Sequence, residues 1–215
     1  MMKYILFSIS LLIGNRTVAQ TKATTEKGEK VVLFDDGTWQ YSDSLSIEEQ
    51  EQVEVIKTSD LKFEKASNAK TLTEGKIWKY GIWNNNVKWG ISTSSKSQDL
   101  YFKMKTGDAY VMTVAEEIEI PVETLATVAF ENAKNRAPDA KLLKKEYRIV
   151  NGLKVIHLQI EGTLSGIHFI YSGYYYSCSK GSVQVVGFTA ANLFPKFEKD
   201  IESFLNGFVG EKTDK

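Results

Sequence analysis

The sequence predicts an α+β fold: an antiparallel sheet flanked by two helices, preceded by a small N-terminal β-hairpin or meander unit. Three observations predict it. Four β-rich runs between Leu142 and Thr189 are punctuated by short turn signals, the strongest being Asn151-Gly152. Two segments, one opening at Pro121 and one at Asn192, repeat their apolar residues at helical spacing. Ahead of them, Asp35-Asp36-Gly37 separates two short β-rich runs, a tight hairpin signal far from the other elements.

The first twenty residues read as an export signal. Lys3 supplies the positive start, Tyr4 to Ile13 is an uncharged and largely apolar run, and Gly14 ends it. Thr17-Val18-Ala19 offers small residues for cleavage before Gln20, with cleavage after Gln20 as the competitor and an uncleaved anchor as the alternative raised by Arg16. The run is too short to span a bilayer, and no later stretch is apolar enough to do so. The expectation is an exported protein of the periplasm or extracellular space, with no transmembrane segment after cleavage.

Residues 21–41 form the small hairpin unit. Val31 to Phe34 and Thr38 to Tyr41 are its strands, Lys22 to Thr25 offers a third, and Trp39 is its expected packing or contact residue. Residues 42–75 read as an acidic and polar linker, with Ser46-Ile47-Glu48-Glu49 as the capping box of a short helix.

The α+β domain is expected over residues 76–210, with 211–215 as a disordered tail. Ile77 to Trp83 and Val87 to Ile91, around Asn84-Asn85-Asn86, predict a tryptophan-rich hairpin. Leu100 to Met104 and Ala109 to Ala115 are two further strands. Pro121 suits a first helical turn, and Val122, Leu125, Ala126, Ala129, Phe130 and Ala133 share one face before Ala137-Pro138 stops the helix. Leu142 to Val150, Leu153 to Glu161, Ile167 to Cys178 and Ser182 to Thr189 follow as antiparallel strands. A closing helix carries Phe194, Phe197, Ile201, Phe204, Leu205 and Phe208 on its apolar side.

This order resembles the PsbP-like α/β/α sandwich, named for an extrinsic subunit of photosystem II. The resemblance runs over residues 76–208 and rests on the hairpin around Val150-Asn151-Gly152, the aromatic strand Tyr171 to Tyr176, the strand Val183 to Phe188 and the closing helix with Asp200-Ile201 and Ser203-Phe204. It implies a docking module rather than an enzyme. It brings no site residue with it.

Composition narrows the function. The chain of 215 residues carries 27 basic and 27 acidic side chains, so no basic excess supports nucleic-acid binding. Cys178 is the single cysteine, which rules out an internal disulfide; it reads as a small buried hydrophobe, with an intermolecular disulfide as the alternative. H-E-x-x-H, P-loop, G-x-G-x-x-G and G-x-S-x-G patterns are missing, so no catalytic, cofactor or metal residue is assigned and no cofactor is expected. Glu116, Glu117 and Glu119 read as a charged rim leading into a helix rather than as paired glycosidase carboxylates.

Two features remain as candidates. With a turn near Thr163-Leu164, His157 and His168 become diagonal neighbours on one face with Glu161, the beginnings of a zinc shell or a hydrolytic centre. Alternation also places Tyr174 and Tyr176 on one face and Tyr171 and Tyr175 on the other, so that one face is core and the other core or contact surface. The candidate interaction surface is therefore Trp39, Tyr174, Tyr176, His157 and His168. The functional expectation is an exported, non-enzymatic binding or accessory protein whose partner is an unidentified protein or envelope component. The alternatives are a hydrolase or metal-binding protein using the His157 and His168 face, and a carrier of a small apolar ligand.

Overall fold

The computed structural model describes residues 21–24, 30–33, 39–41, 56–92 and 98–210. The export signal, the short acidic helix at 46–52, the Asp-Gly turn and the tail lie outside these residues. Two compact units result, one containing the three N-terminal strands and the other running from Ile56 onward.

In the first unit, β1 (Thr21–Thr24), β2 (Lys30–Leu33) and β3 (Trp39–Tyr41) form an antiparallel meander in that order. Leu33 pairs with Trp39 and Val31 with Tyr41, the register expected of a hairpin closed at Asp35-Asp36-Gly37. Val31 is buried. The side chain of Trp39 lies outside the described residues.

The second unit is built on an eight-stranded mixed sheet. Its strands are β4 (Thr58–Phe63), β7 (Trp89–Ile91), β8 (Tyr101–Met104), β9 (Ala109–Glu116), β10 (Lys141–Val150), β11 (Leu153–Leu164), β12 (Ile167–Cys178) and β13 (Gly181–Ala190). They lie in the order β4-β10-β11-β12-β13-β9-β8-β7. All neighbours are antiparallel except β4, which runs parallel to β10 at one edge. A second, three-stranded sheet places β6 (Gly81–Asn84) between β5 (Thr71–Glu74) and β14 (Phe208–Val209).

Two helices cover opposite faces of the large sheet. Alternation sends Ile156, Leu158 and Ile160 of β11 to a core beneath α1 (Val122–Arg136), with Leu125 and Ala126. It sends Val155, Tyr174, Tyr176, Val183 and Val185 to the other core, beneath α2 (Phe194–Leu205). Small Ala126, Ala129 and Ala133 let α1 approach the strands closely, whereas α2 fills its layer with Phe194, Phe197, Ile201 and Phe204. The α+β sandwich expected from the sequence is thus present.

Four local expectations need correction. Residues 57–75 are not a linker: β4 and β5 lie there, each docked on a strand distant in sequence, a pairing that local composition cannot report. Gly81–Asn84 and Trp89–Ile91 are not a hairpin. The chain does turn at Asn85, whose carbonyl accepts from Lys88 and Trp89. Asn84, however, ties β6 to β5 by donating from Nδ2 to the Thr71 carbonyl and Thr73 Oγ1, so the turn hands the chain from one sheet to the other. The closing helix is not capped by the Asn192 side chain; its N-cap position is Leu193 and Pro195 occupies the first turn. The fourth concerns the β11–β12 turn and decides the site.

Candidate functional site

Ser165 and Gly166 take positive φ angles of 50° and 79°, which makes them, rather than Thr163-Leu164, the centre of the β11–β12 turn. The register follows: His157 pairs with Tyr174, and His168 with Thr163. The two histidines keep the same face but stand six residues apart along the hairpin, about 20 Å at the rise of a strand. The structure therefore does not bring His157 and His168 together, and no two-histidine centre exists among the described residues.

Each histidine has its own neighbourhood. His168 is exposed at the hairpin end, where Nε2 lies 3.4 Å from Glu161 Oε2 and Nδ1 lies 3.2 Å from Thr163 Oγ1. Asp139 accepts from the Thr163 amide at 2.9 Å, which holds its carboxyl below the usual range. Water competes for every bond in this chain, so it braces the turn rather than activating a hydroxyl.

His157 is 4% exposed and sits in a buried charged cluster. Its cross-strand neighbours are Glu146 on β10 and Tyr174 on β12. Nε2 lies 2.9 Å from Ser172 Oγ, while Nδ1 has no hydrogen-bond partner and faces Glu146 Oε1 at 3.7 Å. Glu146 accepts instead from Arg148 Nε at 2.6 Å and from Lys144 Nζ at 3.1 Å. Arg148, 4% exposed, reaches across the layer: Nη1 donates to Tyr174 Oη at 3.0 Å and to Glu202 Oε1 of α2 at 2.8 Å, and its guanidinium lies 4.1 Å from the Phe63 ring centre of β4.

The electrostatics follow from this arrangement. Burial first, then the Arg148 and Lys144 cations, push the His157 imidazole well below its ordinary value, so it is neutral at physiological pH. Burial opposes ionisation of Glu146, but the bonds from Arg148 and Lys144 outweigh it and hold the carboxyl below its usual range. The cluster is a tie between β10, β12, β4 and α2, closed to a substrate by its own packing.

Tyr174, Tyr176 and His157 are thus not an interaction surface: at 1%, 9% and 4% exposure they belong to the core under α2. Of the residues expected on such a surface, His168 alone is exposed among those whose side chains are described. The aromatic surface lies elsewhere. α1 packs on β11 and β12, which leaves the β13, β9 and β8 portion of that face without a helix among the described residues. On that face Phe169 and Tyr171 of β12, Phe188 of β13, Tyr110 of β9 and Tyr101 of β8 form a half-buried row across four strands, which begins on the strand beside α1 and runs onto the uncovered portion. Tyr171 and Tyr110 flank Phe188 in stacked contacts, with ring centres 5.6 and 5.3 Å away, and Tyr101 continues the row 6.2 Å from Tyr110. Phe169 closes the other end, 6.0 Å from Tyr171. Lys103 Nζ lies 5.6 Å from the Tyr110 ring centre.

Comparison with known proteins adds to the fold only. No protein-family model matches the chain, and no curated protein matches it. Among solved structures it is similar to cyanobacterial PsbP (CyanoP) from Synechocystis sp. PCC 6803, at TM-score 0.44 and 14% identity, over 60% of this chain and 85% of that one. It is similar to LpqN of Mycobacterium tuberculosis, described as involved in cell envelope biogenesis, at TM-score 0.46 and 9% identity, over 65% of this chain and 90% of that one. Protein PA94 of Pseudomonas aeruginosa gives TM-score 0.43 and 14% identity, over 58% of this chain and 83% of that one. These are likenesses of fold, including the PsbP type whose order of elements the sequence resembles, and no residue role comes with them.

The aromatic row was hard to find in the sequence because its members come from four separate strands. Of its members, the alternation within one strand singles out Tyr171 alone, on the face it shares with Tyr175. The signal available was parity: Tyr101, Tyr110, Phe188, Tyr171 and Phe169 all fall on the same side once the strand order is known. A shallow groove of about 530 Å³ between β4 and β10, lined by Lys62, Phe63, Glu64, Lys65, Ile149 and Asn151, presents ammonium, carboxylate and amide groups around two apolar side chains. No helix among the described residues is long and apolar enough to cross a membrane.

Proposed function

We propose that the protein is an exported, non-enzymatic binding protein that holds a polypeptide partner of the envelope on the uncovered part of its sheet. The row Phe169, Tyr171, Phe188, Tyr110 and Tyr101 carries this reading. Aromatic side chains supply large, stiff contact area at small entropic cost, and Tyr adds a polar tip, which is why they are enriched at protein interfaces. Lys103 beside the row favours a partner segment that sets a carboxylate next to its apolar side chains. Export is supported by the pattern of Lys3, Tyr4 to Ile13 and Thr17-Val18-Ala19. The layers beneath both helices are filled by their own side chains, which disfavours the carrier reading.

The test is a photo-reactive amino acid placed at Tyr110 and, as a control, at the exposed turn residue Val87, in the full chain expressed in its own cells. A defined protein adduct from position 110, absent from position 87 and abolished by Phe188→Ser, is expected. Adducts formed equally from both positions, or undiminished by Phe188→Ser, would overturn the assignment of the surface.

A further inference from the structure

The buried cluster around His157 has a property that binding at the aromatic row does not use. We propose that His157 and Glu146 form an acid-sensitive catch that holds the C-terminal end of α2 on the sheet. In the neutral tautomer that carries its proton on Nδ1, Ser172 donates its hydroxyl to Nε2, 2.9 Å away, and Nδ1 faces Glu146 Oε1 across 3.7 Å, too far for a hydrogen bond. Glu146 is already engaged by Arg148 and Lys144. The same Arg148 donates to Glu202, and Tyr174 donates to Oδ1 of Asn206, the residue that ends α2.

A proton on Nδ1's partner nitrogen leaves a buried cation that the closed cluster cannot satisfy. The titratable and charged groups facing it are Lys144, Glu146 and Arg148 from β10, Tyr174 from β12 and Glu202 from α2. Only Glu146 is both anionic and within reach. To pair with the imidazolium it has to move about 0.8 Å to hydrogen-bonding distance, which draws it off Arg148 Nε and leaves the buried guanidinium with Tyr174 and the part-exposed Glu202 as its partners, so that the cation turns outward toward water together with Glu202 and the end of α2. The closed state thus rejects the proton and a state with α2's end released accepts it. By linkage, falling pH favours release below the ordinary imidazole value near 6.5.

Hydrogen exchange of the full chain between pH 7.5 and 5.5, corrected for the intrinsic chemical rate, tests this. Amides of Ser203, Phe204, Leu205 and Asn206 are expected to open up to about tenfold more per pH unit below 6.5, while those of Leu125 to Ala129 in α1 stay flat. His157→Gln is expected to abolish the excess. An equal slope in both helices, or an excess that survives His157→Gln, would overturn the proposal. Should that variant not fold, the ¹⁵N resonances of the His157 ring in the unsubstituted protein decide: titration together with loss of α2 protection supports the catch, and titration with α2 protection unchanged refutes it.

Discussion

Gly187 of β13 lies directly beneath Ile201 of α2, so close that a Cβ on the glycine would fall 2.4 Å from Ile201 Cγ2. A glycine inside a strand weakens it, yet here its bare backbone sets the distance between helix and sheet. Gly187→Ala is expected to destabilise by about 2 kcal/mol, because the core must shift to admit one methyl group. In an Ile201→Ala background the same substitution should cost less than half as much. Urea denaturation of the four proteins measures both values, and equal costs in the two backgrounds would show that the contact does not set the spacing.

Arg148 and Glu202 make one ion pair whose two members should respond very differently to substitution. Arg148→Met leaves Glu146 half-enclosed without its main partner and strips the bond to Tyr174, so a loss of about 3 kcal/mol is expected. Glu202 is 43% exposed in its side chain and can turn to water, so Glu202→Gln should cost under about 1 kcal/mol. Chemical denaturation at neutral pH separates them, and equal losses would contradict the burial of the cluster.

Acid should destabilise the protein in two windows. His157 has a lowered value in the folded state, so the unfolded chain takes up its proton first and stability falls as pH drops below about 6.5, by up to roughly 1.4 kcal/mol per unit. Glu146 has a lowered value for the opposite reason, a stabilised charge, and its contribution is present above the ordinary carboxylate range and lost as pH falls through its depressed folded value. Stability measured at pH 7.5 and 5.5 should therefore lose its dependence on the imidazole in His157→Gln. An unchanged slope would sink the assignment.

Asn151 serves the β10–β11 turn twice. Its φ is 49°, and its side chain accepts from the Lys65 amide while donating to the carbonyls of Asn206 and Phe208. Asn151→Gly keeps the backbone and loses the bonds, with an expected cost on the order of 2 kcal/mol. Asn151→Ala loses both and should be about 1 kcal/mol worse. Thermal melts of the pair check the order, and a more stable alanine variant would refute it.

Much of the sandwich was legible in the sequence because its signals are local. Asn151-Gly152 fixed one hairpin, Pro121 and Ala137-Pro138 bracketed α1, and the Phe194, Phe197, Ile201 and Phe204 spacing marked α2. What stayed hidden depends on distant pairing. β4 and β5 carry mixed polar sequences and become strands only because β10 and β6 offer them edges. The histidine geometry depends on the turn: centring it on Ser165-Gly166, two residues beyond Thr163-Leu164, leaves both rings on one face but puts His168 far along the strand from His157. The aromatic row needed the order of β8, β9, β13 and β12, which nothing in their separate sequences states.

The position of β9 between β13 and β8 has a consequence for assembly. Its neighbour toward the middle of the sheet is about seventy residues downstream, beyond α1 and three long strands, so β7, β8 and β9 can pair only with one another until residues 181–190 exist. Such non-local closure slows folding. A nascent chain interrupted before Gly181 would hold three of the eight strands as an unattached ribbon with a bare edge, open to chaperones and proteases, and would gain its cooperative stability only once β13 is made.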